Sequence, residues 1–181
     1  MRTVMKLPIC VFCAQTGMLC KDCKTKLASG EIDQIDVEIA KEAVKFEKNN
    51  PTASDVVILE TIKRPNRILI KVNPGDKKEL TGDGKSLAQR LEERLGKKVI
   101  FFEKGTEKRT LIDIAFKPAI ITGINTVFLP LRSAKPGKSS IEEETVIVLD
   151  KEEESKLPEP VKDVKKLVKK LTDEEIRVQF R

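Results

Sequence analysis

The spacing of apolar residues changes several times along the chain, and each change predicts a new element. From Ile32 to Phe46, apolar residues recur every three or four positions, which is typical of one face of a helix. Asp33 is placed to cap the start of this helix. Two short runs rich in β-branched residues follow at 56–59 and 68–70. With a Pro-Asn turn between them, they predict a hairpin.

The chain then returns to a helical spacing. Leucines four positions apart, from Leu87 to Leu95, predict a helix that ends at Gly96. Residues 99–102 are continuously apolar and predict a further strand. The order predicted for residues 31–104 is therefore helix, strand, strand, helix, strand.

Residues 105–181 repeat this order. The predicted elements are a helix at 107–116, strands at 120–129 and 145–149, a helix at 160–171 and a strand at 176–180. We therefore predict an α+β protein with a short segment at 1–30 and two tandem α-β-β-α-β units at 31–104 and 105–181.

Residues 1–30 contain every cysteine of the chain, in two Cys-x-x-Cys pairs: Cys10, Cys13, Cys20 and Cys23. Four thiolates at this spacing suit a closed tetrahedral zinc site, so we predict a zinc knuckle or ribbon with one structural Zn²⁺ per chain. So short a segment cannot bury a core alone, which makes the metal the expected organiser of its fold. An iron–sulfur cluster and a pair of disulfides are the alternatives, the latter disfavoured in a reducing cytosol.

Composition narrows the classes of function. The chain has 35 basic and 29 acidic residues, a net charge of +6 and a pI near 9.1, a balance that permits a polyanionic partner. It contains no His, which excludes imidazole-based catalytic triads and His-containing zinc sites. Because no nucleophile with a base and no Walker loop is visible either, we expect no enzymatic activity. No apolar run suits a signal peptide or a membrane span, so we expect a cytoplasmic protein without membrane contact.

A glycine loop, residues 82–85 (Gly-Asp-Gly-Lys), precedes the helix predicted from Leu87. A loop of this kind directs backbone N–H groups and the positive end of a helix toward one point, where phosphate binds well. Lys85 at the helix start, with Arg90 and Arg94 further along, adds cationic side chains. An ordinary surface loop is the alternative interpretation of these four residues.

Residues 80–99 resemble the signature of type II KH domains in the NusA family. That signature has a Gly-x-x-Gly loop, a helix of about ten residues and a Leu-Gly-Lys-Lys-Val entry into a strand. In the family the loop clamps the sugar–phosphate backbone of single-stranded RNA, and Lys85 here replaces its last glycine. The resemblance implies an RNA-binding site at Gly82, Asp83, Gly84, Lys85, Arg90 and Arg94.

The second unit shares part of this resemblance. Residues 115–120 (Ala-Phe-Lys-Pro-Ala-Ile) are similar to the segment that joins the tandem KH domains of archaeal NusA. Residues 171–176 are similar to the segment that follows the last KH helix. The expected Gly-x-x-Gly then falls on residues 159–162, where both glycines are missing. The resemblance thus implies a degenerate KH-like unit without the clamp.

The last predicted helix carries a row of lysines, which we call the lysine stripe: Lys162, Lys165, Lys166, Lys169 and Lys170. Their spacing of three and four places them on one face, opposite an apolar face. Such a row is either a solvated outer face or a surface that binds phosphate without regard to sequence.

The resemblance implies an RNA-binding protein that acts, like NusA, in transcription elongation or termination, with RNA polymerase as partner. A ribosome-associated or small-subunit ribosomal protein that binds rRNA is one alternative. A protein–protein adaptor with vestigial KH folds is another.

Overall fold

The computed structural model describes residues 7–81, 84–130 and 141–181. It combines helices with two three-stranded mixed sheets, which confirms the predicted α+β class. The chain divides into two compact units, residues 1–105 and 106–181.

The sheet of the first unit consists of β1 (Ile58–Lys63), β2 (Arg67–Val72) and β3 (Lys98–Glu103). Strand β2 lies in the centre, antiparallel to β1 and parallel to β3. Residues 68–70 of β2 are fully buried, as expected for a continuous apolar run in a strand with neighbours on both sides.

Among the described residues, the helices of this unit are α1 (Val11–Thr16), α2 (Lys21–Ala28), α3 (Gln34–Asn49), α4 (Asp76–Glu79) and α5 (Leu87–Leu95). Helix α3 begins with a capping box between Asp33 and Asp36. Lys63, at the end of β1, places its Nζ 3.0 Å from Asp33 and 2.5 Å from Asp36. This ion pair fixes the start of α3 against the hairpin.

Helix α3 is buried on two faces. One face contributes Ile39, Ala43 and Phe46 to the core that packs on the sheet and α5. The other face packs Val37 and Ala40 against apolar residues of the cysteine segment. The cysteine segment therefore shares the first unit's interior.

The second unit contains α6 (Lys108–Phe116), β4 (Gly123–Pro130), β5 (Ile141–Leu149), α7 (Val161–Thr172) and β6 (Ile176–Phe180). Strand β5 is central, antiparallel to β4 and parallel to β6, so both sheets have the same strand order and directions. The apolar residues 146–149 of β5 are buried. Helix α7 buries Val164, Leu167 and Val168 and packs on α6.

Candidate metal centre and nucleic-acid surfaces

The start of a helix positions each cysteine pair. Cys10 and Cys20 are the N-cap residues of α1 and α2, and Cys13 and Cys23 lie in the first turns of those helices. A helix that begins at the first cysteine of a Cys-x-x-Cys pair brings the second cysteine back to the same side. Both pairs therefore direct their sulfurs to one point.

The four Sγ atoms lie within 4.8 Å of one another. The distance from Cys10 Sγ is 3.2 Å to Cys13 Sγ and 4.0 Å to Cys20 Sγ. Zn–S bonds of about 2.3 Å in a tetrahedron imply sulfur separations of about 3.8 Å, which these distances bracket. All four cysteines are free, and the described contacts are far longer than a disulfide bond of about 2.05 Å. The cluster could hold a metal ion.

The surroundings of the cluster suit a closed site. Cys13 and Cys23 are buried, and apolar residues of the segment and of α3 cover them. The backbone N–H of Cys20 donates a hydrogen bond of 3.0 Å to Cys13 Sγ. Such N–H to sulfur bonds orient a thiolate and stabilise its charge when it binds a metal.

The thiol pKa values differ with these surroundings. Burial raises the pKa of Cys13 to about 12. The backbone N–H of Cys23 is the main cause that lowers the pKa of Cys20 to about 7. At Cys23 a backbone hydrogen bond from Cys10 lowers the pKa, but burial and the Cys20 thiol outweigh it, so the pKa is raised. A metal that binds here must displace protons from Cys13 and Cys23.

Two of the predicted RNA-binding residues, Gly82 and Asp83, lie outside the described residues. Gly84 has a φ of 115°, a conformation that glycine adopts readily, and a Cβ at this position would meet no atom within 4 Å. The described end of the glycine loop therefore presents its backbone to open space.

Lys85 and Arg90 lie beside this loop and already have partners. Lys85 Nζ forms an ion pair of 2.5 Å with Glu93 Oε1. Arg90 donates from Nε to the Lys85 carbonyl oxygen, at 3.3 Å, and its guanidinium lies 5.6 Å from the centre of the Phe46 ring. The second contact is a cation–π interaction between α5 and a ring of α3.

Arg94 is bound by two carboxylates of α3. Arg94 Nε contacts Glu38, and Arg94 Nη1 lies 3.3 Å from Glu42 Oε1. Burial raises the pKa of Glu38, but hydrogen bonds from Lys41 and Arg94 outweigh this and lower it. The structure thus brings the predicted cations together at one pocket of about 410 Å³, but with acidic neighbours; it is lined by Glu42, Lys85, Arg90, Glu93 and Arg94.

A larger cleft, which we call the α4–β3 cleft, was missed by the sequence analysis. It has a volume of about 580 Å³ and lies between α4, the start of α5 and β3. Its lining is largely apolar, with two exposed lysines: Lys77, Lys78, Leu80, Thr81, Ser86, Ala88, Val99, Ile100, Phe101 and Glu103. The only local signal for it is the Lys-Lys pair after Pro74-Gly75.

Hydrogen bonds hold the walls of the α4–β3 cleft in place. Glu103 Oε1, at the end of β3, accepts from the backbone N–H groups of Gly75 and Lys77 at 3.1 and 3.3 Å. The Leu87 N–H donates to the Leu80 carbonyl oxygen at 2.9 Å and closes the base of the glycine loop. Helix α4 is therefore tied to β3, and the loop to α5.

The lysine stripe lies on the exposed face of α7, and all five of its side chains are exposed. Lys166 Nζ lies 3.3 Å from Asp163 Oδ1, and Lys169 Nζ lies 2.5 Å from Glu175 Oε1. A shallow pocket of about 280 Å³ lies at the same face, lined by Lys165, Lys166, Lys169, Glu175 and Ile176.

Within the described part of the chain, no helix has both the length and the apolar character needed to cross a membrane.

Comparisons with known proteins do not place the chain in a family. No protein-family model matches it, and no curated protein matches it. Among solved structures it is similar to one described as "Crystal structure of APE1850", at 20% identity and a TM-score of 0.42, over 80% of this chain and 99% of that one. A likeness at that TM-score carries no argument about fold or function.

Proposed function

We propose that this chain is an RNA-binding protein whose first unit holds single-stranded RNA in the α4–β3 cleft, and whose cysteine segment is organised by structural zinc. The observation that carries the proposal is the cleft itself. It combines an apolar lining, two exposed lysines and the residues on either side of the glycine loop, Thr81 and Ser86. No catalytic step belongs to this proposal.

The topology supports a KH-like assignment of both units. From α3 onward the first unit has the order helix, strand, strand, two helices, strand, and the second unit has the order helix, strand, strand, helix, strand. In both, an antiparallel pair of strands is followed by a parallel pair. In the first unit the glycine loop leads into α5, as the resemblance to type II KH domains implies. In the second unit residues 159–162 precede and open α7 without a glycine, so we assign the RNA clamp to the first unit only.

The chemistry of the α4–β3 cleft suits unpaired nucleotides. Sequence-specific RNA recognition depends on bases that leave the stack and pack on protein side chains. Ala88 and Ile100 are partly exposed in the lining and supply apolar contact for a base, and β3 is an edge strand of its sheet. Lys77 and Lys78 are exposed and supply charge for phosphates.

The narrower role that we propose is transcription elongation or termination, with RNA polymerase as partner, and a ribosome-associated role in rRNA binding is the alternative. A protein–protein adaptor is a second candidate, favoured by one observation: carboxylates already pair with Lys85 and Arg94. Affinity purification from native cells separates these roles, because it recovers RNA polymerase, small ribosomal subunits or another protein.

We propose zinc as the metal because four cysteine sulfurs at near-tetrahedral separations leave no open coordination position. Elemental analysis of the purified protein is expected to give one zinc per chain, and a Cys13→Ser variant is expected to lose it. A Ser29→Ala variant, in the same segment but outside the cluster, is the matched control. A visible iron chromophore, or no stoichiometric metal, would contradict the assignment.

The RNA proposal is tested with Gly84→Asp. The substitution adds a negative charge and a side chain where the phosphate backbone would approach. Affinity for a fluorescein-labelled oligouridylate of about ten nucleotides should fall at least about tenfold, or about 1.4 kcal/mol. The control is Gly105→Asp, because Gly105 also has a positive φ and open space around it but does not belong to the glycine loop at residues 82–85. If both variants stay folded and bind like the parent, RNA does not approach the glycine loop, and the proposed site at the loop and the cleft is wrong.

A further inference from the structure

The lysine stripe concentrates positive charge on one face of a unit whose net charge is close to zero. Residues 106–181 contain 15 basic and 14 acidic side chains, yet five of the lysines share one face of α7. The stripe extends about 12 Å along the helix axis, at about 1.5 Å per residue. Local charge, not the net charge of the unit, therefore decides what this face attracts.

Packing fixes the direction of the stripe. Val164, Leu167 and Val168 are buried on the other face of α7, so the helix cannot rotate without exposing them. The lysines are consequently held toward solvent. Lys162 and Lys165 form no ion pair with any residue among the described ranges.

Glu175 lies beside three lysines of the stripe. Its carboxylate lies 2.5 Å from Lys169 Nζ and lines the shallow pocket together with Lys165 and Lys166. The hydrogen bond from Lys169 lowers the pKa of Glu175, with a smaller contribution from the charge of Lys165. The Glu175 carboxylate thus lies where an anionic oxygen of a ligand would be bound.

This ion pair is easily exchanged. The side chains of Lys169 and Glu175 are 60% and 80% exposed, and exposed pairs contribute little to stability. The phosphates of a polyanion hold condensed counterions, and these are released when lysines bind the phosphates. The Glu175 carboxylate holds no such counterions, so its pairing with Lys169 gains nothing from their release. Replacement of Glu175 by phosphate is therefore favourable at low salt.

We infer that the lysine stripe binds the phosphate backbone of RNA, and that Glu175 occupies part of this site in the free protein and is displaced by the ligand. The inference rests on the proposed function that the chain binds RNA, but it concerns a different unit and different residues. The contact assigned to α7 depends on the charge of the RNA backbone and not on the base sequence.

The sharpest test is a gain of affinity. Glu175→Gln removes the competing carboxylate, so the full chain should bind a fluorescein-labelled oligouridylate about threefold more tightly at low salt. Glu174→Gln is the matched control, because it makes the same change of net charge at the next residue, where the carboxylate pairs with Lys108 of α6. Equal gains from the two variants would overturn the inference, because overall charge would then explain both.

The complementary test removes the cations. Changing Lys165, Lys166 and Lys169 together to Gln should weaken binding about tenfold at low salt and reduce the salt slope by about 2, at about 0.7 per phosphate contact. The same three positions changed to Arg keep the charge and the helix propensity and should bind like the parent. The parent and the Gln variant should converge at high salt.

When these variants are measured together with Gly84→Asp, they separate RNA binding by the stripe from RNA binding at the cleft. If the stripe variants match the parent at every salt concentration and Gly84→Asp binds weakly, the proposal that the stripe binds RNA is wrong, and the proposal for the cleft stands. If the stripe variants change binding as expected and Gly84→Asp does not, the proposal that the stripe binds RNA is supported, and the proposal for the cleft is wrong. A parent chain that binds no RNA at low salt overturns both.

Discussion

At the scale of single residues, the thiols of Cys13 and Cys20 belong to one cluster but differ in pKa. Cys13 is buried and its pKa is raised to about 12, whereas the backbone N–H of Cys23 lowers the pKa of Cys20 to about 7. A metal-free site therefore holds protons on its buried thiols at neutral pH. Because a metal binds thiolates, uptake of the ion must release these protons.

We accordingly expect the affinity for zinc to rise with pH. The pKa values of Cys13 and Cys23 are raised, so each thiol must lose a proton when zinc binds at a pH below its pKa. The apparent dissociation constant for zinc should therefore increase at least about 100-fold for each unit by which the pH falls. Competition with a coloured chelator between about pH 6 and 8, corrected for the titration of the chelator, measures this. An affinity that does not change with pH would contradict the assignment of these thiols as ligands.

At the scale of elements, capping decides where α5 begins and so forms one side of the α4–β3 cleft. Ser86 Oγ accepts a hydrogen bond of 3.3 Å from the Gln89 N–H, and Gln89 Oε1 accepts one of 2.9 Å from the Ser86 N–H. Gly96 ends the helix in the left-handed conformation. The sequence analysis predicts the end at Gly96, whereas the cap at Ser86 is found in the structure.

Ser86→Ala removes half of this capping box and should lower the free energy of opening of α5 by about 1 kcal/mol. Hydrogen exchange of the backbone amides of α5 measures this change locally, without requiring the whole chain to unfold in one step. Ser155→Ala is the control, because that exposed hydroxyl also makes a hydrogen bond with the backbone, donated to the Glu152 carbonyl oxygen, but caps no α-helix. Equal exchange rates for α5 in the parent and the Ser86 variant would show that packing alone sets the helix start.

The observed elements also show which sequence patterns predict helix and strand boundaries well. Helices α3, α5 and α7 begin and end within about two residues of the positions that apolar spacing and capping residues predict. Strand β5 begins at residue 141, four residues before the predicted start, because the polar residues 142–144 pair with β4. Helices α1 and α2 were not predicted. Each is short, and packing around the cysteine cluster, not a regular period, holds them.

At the scale of the whole molecule, two units with the same strand topology distribute their charge differently. Residues 1–105 have 20 basic and 15 acidic side chains, yet carboxylates of α3 and α5 pair with Arg94 and Lys85. Residues 106–181 are close to neutral, yet the lysine stripe separates its cations onto one face. Net charge therefore permits a polyanionic partner but does not locate a binding surface for one.

The sequence by itself determined the α+β class, the repeated order of elements and the identity of the four cysteines that could hold a metal, because these depend on local spacing. Only the tertiary structure decided that the four sulfurs lie within 4.8 Å of one another and that carboxylates pair with Lys85 and Arg94. It also created the α4–β3 cleft. That cleft requires α4 to be tied to β3 by a contact between Gly75 and Glu103, 28 residues apart. No periodicity records such a contact, because its partners are brought together by the packing of the whole unit.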